Sequence, residues 1–349
     1  MAVAVERANT VEDAILDIHD LRVEFPTRRG VLTAVDGLSL RLKRGETLGL
    51  VGESGCGKTV TGLAIVRLID HPGRITGGSI LFKGTDLLSR SEAEMRGLRG
   101  DEISMVFQDP TVTLNPVLRI SDQMTEVLRH HRGMSRAEAR ERCVDLLRLV
   151  GIPSPEERFD HYPHEFSGGM QQRVIIAIAL ALEPALLLAD EPTTALDVTV
   201  QAQIIDLLKR LKHERAGSTI LITHDLGVVA QLCERVAVMY AGNIIEVGPL
   251  QAILENPLHP YTRGLISCVP RLGSTGRRLP SIPGMVPDLV RPPDGCKFNP
   301  RCDHAFEPCL RRRPRLVEVG AEHMVACYLY PEVLAEDQSA QLREMAARR

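Results

Sequence analysis

The segment that most restricts this chain is Gly52-Glu53-Ser54-Gly55-Cys56-Gly57-Lys58-Thr59. It fits G-x-x-x-x-G-K-[ST], a turn whose N–H groups point into one hollow because glycine tolerates the φ values required. Triphosphate oxygens demand many donors and positive charge. Lys58 supplies a point charge for the β and γ phosphates, and Thr59 a hydroxyl for Mg²⁺. The flanks agree. Thr47 to Val51 reads as a short buried strand entering the turn. Thr59 to Leu68 reads as a helix leaving it, with Leu63 and Val66 three apart on one face. The helix N-terminus then adds its dipole and free N–H groups to the hollow. A chance glycine-rich turn satisfies the pattern but not this order of strand, turn, Lys-Thr and helix. The fold class expected is α/β.

Ala185 to Asp190 is an apolar run closing on Asp190 and Glu191. Such a run suits a parallel strand buried on both faces, and its carboxyl end is where ligands bind in open α/β sheets. Asp190 is placed to hold the Mg²⁺ shell, and Glu191 to orient or deprotonate a water. Ser218 to Thr223 is a second β-rich run, followed by His224. A histidine there reaches a γ-phosphate, although a lone histidine is more often a surface or capping group.

Phe166-Ser167-Gly168-Gly169-Met170-Gln171-Gln172-Arg173 has no evident use for the chain's own nucleotide. Ser167 and two glycines offer a hydroxyl and N–H groups, and apolar Val174 to Leu182 continues as a helix. This loop again lies at a helix N-terminus. The plainer account, an N-cap by Ser167, is compatible with it.

These residues resemble the ATP-binding subunits of ABC transporters. Gly52 to Thr59 matches Walker A, Leu186 to Asp190 matches Walker B, and Glu191 matches the catalytic glutamate. Gln108 matches the Q-loop glutamine, a Mg²⁺ sensor that also contacts the membrane partner. Ser167, Gly168, Gly169 and Met170, with Phe166, match the signature motif. Asp197 in Ala195-Leu196-Asp197 matches the D-loop, and His224 the switch histidine. Phe25 sits where the family stacks an aromatic ring on adenine. The motifs run in order from about Leu16 to Gly248. Phe166 and Met170 depart from the common signature as in the dipeptide/oligopeptide importers. The resemblance implies a P-loop NTPase with a RecA-like core, an antiparallel β subdomain and an inserted helical subdomain. It also implies a second ATPase subunit, expected to be a paralogue in a heterodimer, whose ATP this signature loop covers. Two membrane permeases and an extracytoplasmic solute-binding protein complete the assembly.

Composition excludes other classes. Net charge is −3, which gives no footing for generic nucleic-acid binding. Aromatics make up 3% and tryptophan is absent, so a base-stacking platform is not expected. Val174 to Leu182 is far short of the ~20 residues a membrane helix needs. Glu6, Arg7, Glu12 and Asp13 leave no apolar core for a signal peptide. The chain is therefore expected at the cytoplasmic face of the cell membrane, held peripherally by a partner.

The expected organisation is a flexible tail over 1–14, a nucleotide-binding domain over 15–255 with its helical subdomain at about 109–165, an extension over 256–334, and a tail over 335–349. Ala137 to Val150 has helical spacing, and Ala241-Gly242-Asn243 between two β-rich runs signals a hairpin. Leu258-His259-Pro260-Tyr261 resembles a marker of peptide-importer ATPases and reads as a turn and packing element. Arg311-Arg312-Arg313 with Arg315 reads as a solvated basic face, with a contact to a partner subunit or to anionic lipid as the alternative.

Four of the eight cysteines, Cys296, Cys302, Cys309 and Cys327, bunch as C-x5-C-x6-C-x17-C in a Pro-rich stretch. A reducing cytosol disfavours disulfides. Zinc sites usually show tighter pairs. Four loop-borne thiolates suit a [4Fe–4S] cluster, with Zn²⁺ or free thiols as alternatives. The resemblance to the cluster-binding extension of peptide importers favours the cluster, in a structural role. Cys56, Cys143, Cys233 and Cys268 read as packed thiols.

The reading is an ATP-hydrolysing subunit of a dipeptide/oligopeptide importer. Rivals are a nickel or other small-solute importer ATPase, a soluble ABC ATPase acting on DNA or ribosomes, and a regulatory ATP binder. The last two lose ground because the chain has neither paired cassettes nor a long coiled-coil insertion, and because Glu191 and His224 are intact.

Overall fold

A computed structural model describes residues 13–194, 196–215, 217–269 and 281–347. Most of the expected N-terminal tail and Ala195 of the D-loop lie outside the described residues. Among described residues, no helix is long and apolar enough to cross a membrane.

Two compact units form, each from separated stretches. The first takes residues 13–15, Leu42–Thr47 and Leu87–Ile222. Its strands Ile103–Val106, Leu186–Asp190 and Ser218–Thr223 run parallel side by side, Leu186 opposite both Ile103 and Ser218. Leu186–Asp190 is buried at every position, as its unbroken apolar run requires. Helices Ile120–Arg132, Arg136–Leu149 and Gly168–Leu180 share one apolar core, including Met124, Leu128, Cys143, Leu147 and Ile176. Each such buried side chain contributes about 1.5–3 kcal/mol. The middle helix starts one residue before the expected Ala137, because Ser135 and Glu138 close a capping box around its first turn.

The second unit takes Leu16–Arg41, Leu48–Asp86 and the described residues from Thr223 on. A four-stranded sheet orders Gly30–Lys43, Ala14–Thr27, Arg74–Phe82 and Thr85–Asp86, with Arg74–Phe82 antiparallel to both of its neighbours. Elsewhere Thr47–Val51 pairs in parallel with Arg235–Tyr240. That strand turns back on Asn243–Pro249, which pairs with His323–Val325. The expected hairpin turn is Ala241-Gly242, with φ of 48° and 86°. Two left-handed residues in a row match the twist of the strands they join.

The helix leaving the cradle, Lys58–Ile65, stops short of the expected Leu68 because Arg67 takes a left-handed φ of 53°. The terminal tail, read from its sequence as a frayed helix from Glu336, is a helix that starts earlier, Pro331–Ala347. Its Val333 joins Leu258, Cys309, Val325 and Tyr328 in a small core. Residues beyond 255 therefore share a unit with the cradle.

Candidate nucleotide site and its supports

The cradle is built around its lysine. Lys58 is 6% exposed, and its Nζ donates to the carbonyls of Gly52 at 2.8 Å and Glu53 at 3.0 Å. Gly57 holds φ at 103°, and a Cβ there would lie 2.4 Å from the Ala34 carbonyl oxygen. A Cβ on Gly52 would lie 2.2 Å from the Met239 carbonyl oxygen. Both positions demand glycine. Ser54, Gly55 and Thr59 are exposed, whereas Cys56 is buried and its burial pushes the thiol pKa up. Phe25 is half-buried in its strand, with its ring against Gly73. His224 is exposed immediately after its strand.

In the first unit, Glu191 follows the buried Asp190 with φ at 44°. A left-handed glutamate costs about 1 kcal/mol or more, and such strain gathers at functional sites. Its N–H donates to the Ile222 carbonyl at 2.8 Å, which fixes the backbone. Its carboxylate accepts from Gln108 Nε2 at 3.1 Å and from the Thr194 hydroxyl at 2.8 Å. The structure thus brings Gln108 and Glu191 together, a contact that neither motif announces.

The signature loop is held locally. Ser167 caps the helix Gly168–Leu180, its hydroxyl accepting from Met170 N–H at 3.4 Å. Phe166 is buried in the helical core and Met170 packs against it, while Ser167 and Gly168 are exposed. A Cβ on Gly169 would meet Val200 at 2.5 Å. Asp197 Oδ1 accepts from Thr199 and Val200 N–H, each at 3.0 Å, at the start of helix Val198–Arg215. The D-loop aspartate and the signature glycine therefore share one contact, Val200.

The Leu258-His259-Pro260-Tyr261 stretch acquires a physical account. Glu246, fully buried, accepts from Leu258 N–H at 2.7 Å and His259 N–H at 2.8 Å, and lies 2.8 Å from His323 Nε2. His259 Nδ1 accepts from Tyr261 N–H, which fixes the neutral tautomer. Burial holds His259 down at about 4. The Tyr261 hydroxyl accepts from Glu53 N–H at 2.9 Å. The marker is an anchor that ends on the cradle.

The basic run is not a simple solvated face. Arg313 and Lys297 both pair with Asp36, at 2.7 and 3.0 Å, and Arg312 pairs with Asp337 at 2.7 Å. Burial pushes Asp36 up, but Lys297, Arg313 and Arg22 outweigh it and hold its carboxyl below the ordinary range.

Cys296, Cys302, Cys309 and Cys327 all line one small cavity with Phe298 and Tyr328. Burial pushes Cys296 up to about 11 and Cys327 up to about 12, and neighbouring thiols add to both. Among the described residues, no three His, Cys, Asp or Glu side chains stand close enough to hold a metal ion. Cys56, Cys143 and Cys233 are buried as expected, whereas Cys268 is only partly so.

Comparison with known proteins agrees with this anatomy. Residues 35–194 match the ABC transporter family, and residues 245–309 match the oligopeptide/dipeptide transporter C-terminal region. The dipeptide transport ATP-binding protein DppD of Bacillus subtilis is 50% identical, over 91% of this chain and 95% of that protein. The oligopeptide transport ATP-binding protein OppD of Salmonella typhimurium is 51% identical, over 90% of this chain and 94% of that one. A dimeric ATP-binding cassette solved in a post-hydrolysis state with ADP and phosphate aligns with TM-score 0.61 and 30% identity. It covers 67% of this chain and 98% of its own. A fold of that class, a complete cradle and half-identical relatives over nearly the whole length place this chain in the oligopeptide/dipeptide ABC transporter family of ATP-hydrolysing subunits.

Proposed function

We propose that this chain hydrolyses ATP to drive import of dipeptides or oligopeptides, at the cytoplasmic face of the membrane. The names of its relatives support that cargo. The observation that carries the chemistry is the left-handed Glu191, strained and held by Gln108 and Thr194. Glu191 accepts a proton from the attacking water. Lys58 and His224 offset charge on the γ-phosphate, while Phe25 carries the adenine. Thr59, Gln108 and Asp190 would hold Mg²⁺, which would neutralise charge on the phosphate oxygens. Ser167, Gly168, Gly169 and Met170 cover the ATP of a second ATPase, a paralogue in a heterodimer, and Asp197 lines the same seam. Two permeases and a solute-binding protein complete the transporter, with no nucleic acid in the cycle.

Glu191→Gln tests the assignment in the assembled transporter. Phosphate release is expected to fall about 10³-fold while MgATP stays bound. Normal turnover removes Glu191 as the base.

The four-cysteine cavity supports a structural [4Fe–4S] cluster. Cysteines from four separate points of the sequence line one small space. They must draw in to reach ligand distance, which a metal's bond energy accomplishes. Such a cluster staples a region whose own core is small. Protein purified without oxygen is expected to show broad visible absorption and about four irons per chain. One zinc and no iron supports the Zn²⁺ alternative. Protein without either metal overturns both.

A further inference from the structure

Glu53 puts a carboxylate inside a loop whose task is to hold an anion. Alone, it would repel a triphosphate. The structure answers that charge from the extension. Arg301 Nη1 donates to Glu53 Oε2 at 2.8 Å, and Nη2 donates to Oε1 at 3.1 Å, a two-pronged pair. The Arg301 side chain is 3% exposed and that of Glu53 28%, so solvent reaches the pair only from the carboxylate side. Its remaining N–H groups are also committed. Nε donates to the Pro283 carbonyl at 2.8 Å, Nη2 to the Ile282 carbonyl at 3.3 Å, and Nη1 to the Tyr240 hydroxyl at 3.3 Å. All five guanidinium donors thus have acceptors, which fixes the fork in place. The rings of Tyr240 and Phe298 each lie 5.8 Å from the guanidinium carbon. From the other side, the Tyr261 hydroxyl accepts from the Glu53 N–H and Lys58 Nζ donates to the Glu53 carbonyl. Every polar group of Glu53 is therefore held, two of them by residues more than 200 positions later.

We infer that Arg301 is a positioning residue for ATP binding, neutralising Glu53 so that the cradle presents net positive charge to the triphosphate. The inference rests on the reading of Gly52–Thr59 as the phosphate cradle. Arg301 directly precedes Cys302, so the four-cysteine segment and the cradle share this one side chain. Nothing in the Walker pattern calls for such a residue, because its middle positions admit any side chain.

The test is MgATP titration of the full-length chain, with steady-state hydrolysis by the assembled transporter. Arg301→Met is expected to weaken MgATP about tenfold, because an unpaired carboxylate then faces the phosphates. In the transporter it raises KM by a similar factor and leaves kcat within about twofold. Adding Glu53→Gln to Arg301→Met is expected to recover most of the lost affinity. A mere structural staple predicts the reverse, since the double variant keeps no ion pair. Unchanged affinity in Arg301→Met, or a double variant as weak as the single, overturns the inference. If Arg301→Met does not fold, Arg301→Lys takes its place. MgATP affinity within about threefold of the unaltered protein then supports neutralisation, and a tenfold loss overturns it. Lys58→Ala separates the two levels. If Lys58→Ala binds MgATP normally, the cradle reading itself fails. If Lys58→Ala loses binding while Arg301→Met does not, only the role of Arg301 fails.

Discussion

The cradle and the signature loop are both glycine-rich turns at helix N-termini, yet they are held in opposite ways. The signature loop is fixed chiefly by its own neighbours: the Ser167 hydroxyl accepts from the Met170 N–H three residues on, and the Val200 side chain of the helix after the D-loop lies against Gly169. The cradle is fixed from afar. Gly57 backs onto the Ala34 carbonyl, but Gly52 backs onto that of Met239, and Glu53 is tied to Tyr261 and Arg301. A loop that keeps a nucleotide through each cycle gains from a rigid frame. Under the function proposed above, the signature loop meets another subunit's nucleotide, and a preformed cap then suffices because the partner would complete the geometry.

Four substitutions sharpen or break that contrast. Gly57→Ala should be the most damaging, because the new Cβ meets backbone at a φ of 103°. A loss of about 4 kcal/mol, with MgATP binding abolished, is expected by denaturant titration and nucleotide binding. A stable, ATP-binding variant would show that the frame around the cradle is loose.

The next effect is acid lability of the anchor. His259 is held down at about 4 against an ordinary 6.5, so the unfolded chain takes up the proton first. Its contribution is fully present above pH 6.5 and is lost as pH falls toward 4. The loss approaches about 3 kcal/mol. Glu246 adds to it at the lower end, since its carboxyl is lowered by His323 and by the N–H groups of Leu258 and His259, against the upward push of burial. His259→Gln is expected to flatten the pH 4–6.5 part of the curve, measured by urea unfolding at stepped pH. An unchanged slope would remove His259 as the cause.

Ser167→Ala should cost about 1 kcal/mol, the ordinary value of a lost cap. It should slow turnover in the assembled transporter while leaving the chain's own MgATP affinity intact. A loss of that affinity would mean that the two loops are not independent. Gly168→Ala should be the mildest. A Cβ there meets nothing within 4 Å, so thermal unfolding should shift by no more than a few degrees.

The strand, turn and helix around the cradle were legible because each follows a short-range rule: apolar runs, glycine at left-handed turns, threefold helical spacing. Leu186–Asp190 and the Ala241-Gly242 hairpin were legible for the same reason. The supports were not. Tyr261 lies 208 positions from Glu53 and Arg301 lies 248, and no local pattern encodes a contact across that separation. The basic run differs from its solvated expectation for the same reason, since the pairing of Arg313 with Asp36 exists only once the extension has packed. The four cysteines were legible as a group, because clustering in sequence survives into space. Where the terminal helix begins was not, because Val333 is drawn into the small core by residues that precede it by many positions.

The inward packing of Phe166 and Met170 has an evolutionary corollary. The two letters in which this chain deviates from the commoner signature both answer to neighbouring helices, while the letters turned outward, Ser167 and Gly168, keep the usual form. A change at Phe166 or Met170 is therefore constrained first by fit inside its own subunit.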